Sequence, residues 1–165
     1  HRTLQEAQEL LDSEGLSGVR ICPEVMGKIN QLGDLEEVLF FCGVDERFLP
    51  CVDFGHLNSR TQGSLQTTEA FAAVLDNIEA RLGSERARLL HIHFSKIAYT
   101  SGGEKEHLTF EDETYGPFPE HLMPLLARRG YQGTVICESA GTQARDARYM
   151  KDLYEEAMAH EPVQR

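Results

Sequence analysis

Residues 51–56 read CVDFGH, in which a short apolar run ends on an acid and a histidine follows three positions later. Burying an isolated carboxylate is costly unless it is paired or binds a metal. Asp53 is therefore a candidate cation ligand at the end of a predicted strand. Outward from this stretch, polar residues recur at or near the ends of the neighbouring apolar runs: Glu24, Asp53, His91 and Glu138.

Short apolar runs alternate with amphipathic helical patterns along the whole chain. The runs cover residues 19–22, 48–54, 89–94 and 133–138, and each is predicted to be a strand. Helical periodicity covers residues 4–11, 34–42, 68–82, 118–129 and 144–159. Residues 99–117 are rich in glycine and have no sustained period, which predicts a long functional loop. The alternation predicts an α/β fold with about four parallel strands covered by helices.

The position of the polar residues favours a barrel over an open sheet. In a (βα)8 TIM barrel the carboxyl ends of the strands converge on one mouth, where active sites of that fold are built. A complete barrel has eight strands and typically about 250 residues, whereas this chain has 165 residues and four predicted strands. We therefore expect residues 1–165 to form half of such a barrel.

Composition limits the classes of function. The formal charge of −11 argues mildly against nucleic acid, although bound cations would offset part of it. No apolar run is long enough to cross a membrane, so a cytoplasmic protein is expected. The four cysteines lack CxxC spacing and are predicted to be reduced structural thiols. Dinucleotide-binding, P-loop and serine-hydrolase motifs are absent.

The candidate ligands are carboxylates and imidazoles. This donor set suits zinc, manganese or magnesium-like ions rather than copper(I) or iron–sulfur chemistry. His91 and His93 are two residues apart on one predicted strand and so share a face, and we expect at least one to point into the mouth. The cofactor predicted from these residues is a divalent metal.

Four segments resemble the second half of the endonuclease IV family of abasic-site endonucleases, which have a xylose isomerase-like barrel. They are PEVMGK (23–28), CVDFGH (51–56), HIHFSK (91–96) and ICES (136–139). The resemblance covers nearly the whole chain. It implies that the chain is a C-terminal half-barrel whose N-terminal half is absent, and that the metal is zinc.

The resemblance also implies roles for individual residues. In that family, the glutamate matching Glu24 bridges two zinc ions, and the residues matching Asp53, His91 and Glu138 complete the second ion's sphere. Residues matching His56 and His107 belong to a third zinc site. Glu24 and Glu138 are accordingly the predicted catalytic residues, and His93 and Lys96 in the HIHFSK segment are predicted to bind substrate.

Two departures from the family pattern are visible. The aspartate expected two residues before His107 is replaced by Lys105, and Glu104 or Glu106 are the available substitutes. The family's first zinc takes two histidines from the N-terminal half, which this chain does not supply.

Three functions stay open at this point. The first is metal-dependent phosphodiester hydrolysis at abasic sites in DNA. The second is a sugar isomerase or epimerase with one divalent ion, for example manganese, in which the two glutamates act as acid and base. The third is a catalytically incomplete half-barrel. Because a half-barrel leaves sheet edges unpaired, a partner is expected, either the N-terminal half or a second copy.

Overall fold

Parallel strands form the centre of the fold in a computed structural model, which describes residues 1–160. In chain order the strands are β1 (Cys51–Asp53), β2 (His91–Phe94), β3 (Lys96–Thr100), β4 (Gly103–Leu108) and β5 (Thr134–Cys137). The helices are α1 (Arg2–Ser13), α2 (Leu35–Cys42), α3 (Phe54–Arg60), α4 (Thr68–Leu82), α5 (Ser84–Ala87), α6 (Pro119–Arg128) and α7 (Gln143–Ala159). β1, β2 and β5 pair in parallel in that order, and β3 and β4 form a separate antiparallel hairpin.

The two faces of the parallel sheet differ in burial. Ile92 and Phe94 of β2 are almost fully buried and belong to the hydrophobic core shared with the helices. His91 and His93 alternate with them, are partly exposed, and so lie on the opposite face. Ile136, in register with His93, is 41% exposed on that second face. The sheet is therefore covered by helices on one side and open on the other within the described residues.

Most predicted elements are confirmed, and the capping chemistry explains one boundary well. Asp34 caps α2 by accepting a hydrogen bond from the Glu37 backbone N–H at 2.8 Å, and the Glu37 side chain accepts from the Asp34 N–H at 3.0 Å. This reciprocal pair satisfies two amide donors that the first turn of a helix leaves free. α4 covers the same residues, 68–82, that the periodicity predicted.

Two predicted elements differ from the structure. Residues 19–22 were expected to form a strand but do not. The chain just beyond them runs beside β1, with a parallel bridge between Glu24 and Cys51 and hydrogen bonds from Cys51 N to Pro23 O (2.8 Å) and from Val25 N to Cys51 O (3.0 Å). The pairing thus holds Glu24 at the edge of β1, where a fourth strand would lie.

The predicted loop at residues 99–117 is the second difference, because its first half belongs to the β3–β4 hairpin. β4 reads GEKEHL, and its polar residues hide the alternation that marks a strand. The architecture is otherwise the predicted one, an α/β fold in which the described residues form no closed barrel. Among residues 1–160, no helix combines the length and the apolar character that a membrane crossing requires.

Candidate metal centre

Three carboxylates and a histidine converge at the carboxyl ends of the parallel strands; we call this group the carboxylate centre. It consists of Glu24, Asp53, His93 and Glu138. The His93 Nδ1 lies 3.1 Å from Glu24 Oε1 and 3.4 Å from Glu138 Oε1. Asp53, His93 and Glu138 offer donor atoms that all lie within 4.8 Å of one another. The structure thus brings together Glu24, Asp53 and Glu138 of the predicted ligand set, with His93 where His91 was expected.

Asp53 is the most deeply buried member of this centre. It ends β1 and caps α3, so its Oδ1 accepts a hydrogen bond from His56 N at 2.8 Å. Its Oδ2 is buried and has no hydrogen-bond partner. Burial raises the pKa of the Asp53 carboxyl, and the carboxylates of Glu138 and Glu24 raise it further, although His56 opposes the rise. A buried carboxylate oxygen without a partner is stabilised by a cation, so the residues present fit a metal ion.

A second group, which we call the hairpin centre, joins His56 of α3 to Glu104 and His107 of the β3–β4 hairpin. The His56 Nε2 lies 3.5 Å from Glu104 Oε2, and the His107 Nε2 lies 3.7 Å from Glu104 Oε1. The two imidazole rings meet edge to face with centroids 5.6 Å apart. These three residues also offer donors within 4.8 Å of one another.

Hydrogen bonds fix the tautomers of both histidines in the hairpin centre. The His56 Nδ1 lies 2.9 Å from the Val25 carbonyl oxygen, and the His107 Nδ1 lies 3.2 Å from the Glu138 carbonyl oxygen. A carbonyl can only accept, so in the neutral form of each ring the proton lies on Nδ1 and the Nε2 lone pair is left for a cation. Such a second contact is the usual support for a metal-binding histidine. Both Nε2 atoms are thus prepared to bind a cation beside Glu104.

A β-bulge explains how Glu104 and His107 come to share a face. Residues three apart on a regular strand point to opposite sides of the sheet. In the β3–β4 register, Ala98 opposes Glu106 and Tyr99 opposes Glu104, so Lys105 is an extra residue without a partner. The bulge lets Glu104 take the place of the expected aspartate. Lys105 instead forms an exposed pair with Glu106 at 3.0 Å.

Close backbone packing holds Glu104 in place. Its backbone N–H donates to the Gly27 carbonyl at 3.1 Å, and Lys28 forms an antiparallel bridge with Gly103. A Cβ on Gly27 would lie 2.7 Å from both the Cβ and the Oε2 of Glu104. Glycine at this position is therefore required for the hairpin to approach the segment that carries Glu24.

His91, a predicted metal ligand, and Lys96, a predicted substrate-binding residue, lie outside the two centres. The His91 Nε2 points to the His93 Nε2 at 3.2 Å and groups with Cys51 rather than with the three carboxylates. Burial, together with the nearby His93, lowers the pKa of His91. Lys96 is buried, with its Nζ donating to the carbonyls of Phe110 (2.9 Å) and Asp112 (2.5 Å) and lying over the Phe118 ring. Its contacts anchor the loop that follows β4.

Comparison with known proteins gives a family and one relative. A family model described as xylose isomerase-like TIM barrel matches residues 2–160. An uncharacterized protein of Methanocaldococcus jannaschii is 36% identical over 141 residues, which are 84% of this chain and 50% of that protein. The chain therefore spans about half the length of the curated relative it matches. No solved structure matches the chain.

The family match agrees with the observed architecture. Parallel strands alternate with helices, the described residues close no barrel, and the acidic and imidazole side chains gather at the carboxyl ends of the strands, as the half-barrel expectation required. The family includes both abasic-site endonucleases and sugar isomerases. On the match over residues 2–160, together with this fold, the chain belongs to the xylose isomerase-like TIM barrel family.

Proposed function

We propose that this chain carries the metal-binding half of a divalent-metal phosphodiesterase that acts at abasic sites in DNA. The observation that carries the proposal is the hairpin centre beside the carboxylate centre. His56 lies between the two centres. Its Nδ1 is 3.3 Å from Asp53 Oδ2, and its Nε2 is 3.5 Å from Glu104 Oε2. Two adjacent centres suit the clamping of attacking and leaving oxygens in phosphodiester hydrolysis.

The donors define which residues would hold which ion. Glu24, Asp53 and Glu138 would bind one ion through oxygen, and His56, Glu104 and His107 would bind another. This mixture of oxygen and imidazole ligands is compatible with zinc and with manganese. Four carboxylates at one mouth are mutually repulsive, so a pair of divalent cations also neutralises the charge they bring together.

The chain's own residues perform distinct tasks in this proposal. When bound, divalent ions would supply an activated water and stabilise charge on the phosphate. Glu24 and Glu138 have side chains about one-third exposed, so both are accessible to water at the mouth. Either carboxylate could accept a proton at the mouth, which is the catalytic role that the resemblance implies for both. His93 lies between them, with its Nδ1 in hydrogen-bond contact with Glu24 Oε1 at 3.1 Å and 3.4 Å from Glu138 Oε1.

Metal stoichiometry and DNA cleavage test this proposal together. Zinc-loaded protein should hold at least two ions per chain and nick a duplex that contains one abasic site. Glu104→Gln should lose one ion and most of the nicking activity, while Glu106→Gln, which alters only an exposed carboxylate, should keep both. A single ion in the wild type, or nicking that Glu104→Gln leaves intact, would contradict the proposal.

The isomerase alternative rests on a different observation. Glu24 and Glu138 flank one histidine at the mouth, an arrangement that suits an acid and base acting on opposite sides of a small sugar. The formal charge of −11 is also more easily reconciled with a sugar than with DNA. Manganese-dependent epimerisation of a ketose, with no cleavage of abasic DNA, would establish this function in place of the first.

A further inference from the structure

A third cluster of donors lies beneath the carboxylate centre, on the open face of the parallel sheet. Cys51 of β1 is directly in register with His91 of β2, so their side chains project from the same face of adjacent strands. His93, two residues further along β2, shares that face. Cys51, His91 and His93 offer a sulfur and two nitrogens within 4.8 Å of one another. We propose that these three residues bind a zinc-class ion at a further site, which lies beneath the carboxylate centre and shares His93 with it.

The distance between the two imidazoles matches a shared ligand position. The Nε2 atoms of His91 and His93 lie 3.2 Å apart, and their rings are inclined at 69°. Two nitrogens bound to one tetrahedral zinc at about 2.0–2.1 Å lie about 3.3–3.4 Å from each other. The nitrogens therefore need almost no movement to bind a common ion.

The environment of His93 leaves its Nε2 available for this ion. Its Nδ1 lies against Glu24 Oε1 and Glu138 Oε1, which are acceptors when ionised, so the ring proton belongs on Nδ1. Carboxylates that accept from the far nitrogen of a metal-bound histidine are a common outer support in zinc sites. Glu24 would serve the deeper ion in this way through its Oε1, while its other oxygen remains free for the carboxylate centre.

The donor types set the preference of the site. Sulfur and imidazole select zinc and similar borderline ions over magnesium and calcium, which prefer all-oxygen ligands. Cys51 is 3% exposed, so its thiol is not a surface group, and the bound ion would displace its proton to solvent. Three protein ligands leave one coordination position open on the side that faces away from the helices.

Cobalt(II) is the probe for this site because a thiolate ligand gives it a charge-transfer band in the near ultraviolet. Stoichiometric cobalt added to the metal-free chain should produce that band. Cys51→Ser should abolish it, and His91→Ala should weaken cobalt binding at this site by at least about tenfold, the smallest loss typical of removing even an outer support. Cys137→Ser is the matched control, because the Cys137 sulfur already contacts the Ser139 hydroxyl at 3.3 Å, and it should keep the band.

One variant and one measurement on the wild type distinguish failure of this site from failure of the proposed function. Glu104→Gln should leave the cobalt–thiolate band unchanged even though it removes the hairpin centre. Zinc X-ray absorption of the unmutated chain should show a sulfur neighbour at about 2.3 Å, and this result does not depend on whether any variant folds. Absence of sulfur from the zinc sphere, or a band that survives in Cys51→Ser, would overturn the inference.

Discussion

Among single residues, Asp53 is the one on which the proposed metal binding depends most. Its carboxylate is fully buried, one oxygen caps α3 and the other has no hydrogen-bond partner. Without a cation, this arrangement costs free energy, because a buried carboxylate loses its hydration. With a cation, the same arrangement places a ligand where no side-chain motion is required. Asp53 therefore couples metal binding to the stability of the chain.

This coupling predicts a pH dependence for the metal-free chain. Because burial raises the folded-state pKa of Asp53 above its ordinary value of 3.8, the neutral acid is favoured in the folded state. Asp53's contribution to stability is therefore complete below that value and is lost as the pH rises through the higher folded pKa. Urea unfolding in chelator should show the stability of the wild type relative to Asp53→Asn falling as the pH rises from 3.8 through the folded-state pKa of Asp53.

Replacing Asp53 with a neutral residue should remove the loss of stability that ionisation of its buried carboxyl causes. In chelator at neutral pH, Asp53→Asn should be more stable than the wild type by about 1–3 kcal/mol, since a neutral amide can still cap α3. In excess zinc the order should reverse, because only the wild type gains stability from ion binding. Asp76→Asn, at an exposed carboxylate, should show neither effect. Equal stability of Asp53→Asn and the wild type in both conditions would show that Asp53 holds no ion.

At the scale of elements, the β3–β4 hairpin determines whether a second centre exists. Its bulge at Lys105 turns Glu104 and His107 to one side, and its contact with Gly27 brings that side against His56. Neither residue alone would identify a metal site. The hairpin therefore contributes a whole centre to a mouth otherwise built from strand ends.

Gly27→Ala tests that contact. The new Cβ would meet the Cβ of Glu104, which is fixed to the backbone, so the hairpin must shift at a cost of about 1–3 kcal/mol. We expect weaker zinc binding at the hairpin centre and unchanged binding at the carboxylate centre, measured by calorimetric titration. Gly102→Ala is the control, since its Cβ would come no closer than 3.6 Å to any atom outside its immediate neighbours. Identical titrations for the two variants would argue against the role given to this contact.

Lys96→Met tests how far the Lys96 side chain stabilises the loop that follows β4. Loss of the charged hydrogen bonds to Phe110 O and Asp112 O should destabilise the loop after β4 by about 1.5–3 kcal/mol, the usual range for bonds to a charged group. Limited proteolysis should then cut within residues 109–118 faster than in the wild type. A variant that resists proteolysis as well as the wild type, but has a raised KM, would instead support the substrate-binding role predicted from sequence.

For the whole molecule, the open face of the parallel sheet is expected to determine whether the chain associates with a partner. Leu89 and Ile136 are 43% and 41% exposed, and Ile136 lies on the face that a complete barrel would enclose. The matched relative is about twice as long as the aligned segment. We propose that this face is covered either by an N-terminal half-barrel or by a second copy of the chain.

Self-association follows from the uncovered face. Light scattering of the isolated chain should show dimers or larger species, and Ile136→Glu should reduce them by placing a charge on the open face. Tyr149→Glu, at a similarly exposed position on α7, is the control and should not. A wild-type chain that stays monomeric and soluble at high concentration would contradict this expectation.

The sequence predicts that acidic residues meet at the ends of the strands, but it does not predict the β3–β4 hairpin. Apolar runs followed by Asp53 and Glu138 made convergence predictable, because parallel strands carry their carboxyl ends to one edge. Glu104 stayed one of two substitutes for a missing aspartate, since only the bulge at Lys105 decides which glutamate faces His107. Which of His91 and His93 lies beside the carboxylates depends on the register of β1 and β2. That register pairs Asp53 with His93 and pairs His91 with Cys51, further from the carboxyl ends of the strands. Period-two alternation shows that both share a face but not which is nearer the mouth.

Anomalous diffraction from zinc-loaded crystals tests whether two adjacent centres hold ions at this mouth. We expect one peak within bonding distance of Asp53 Oδ2, between Glu24 and Glu138. We expect another between the Nε2 atoms of His56 and His107, with Glu104 as the third ligand. A map with no anomalous density at Asp53, or with zinc bound only at surface histidines such as His160, would contradict these expectations.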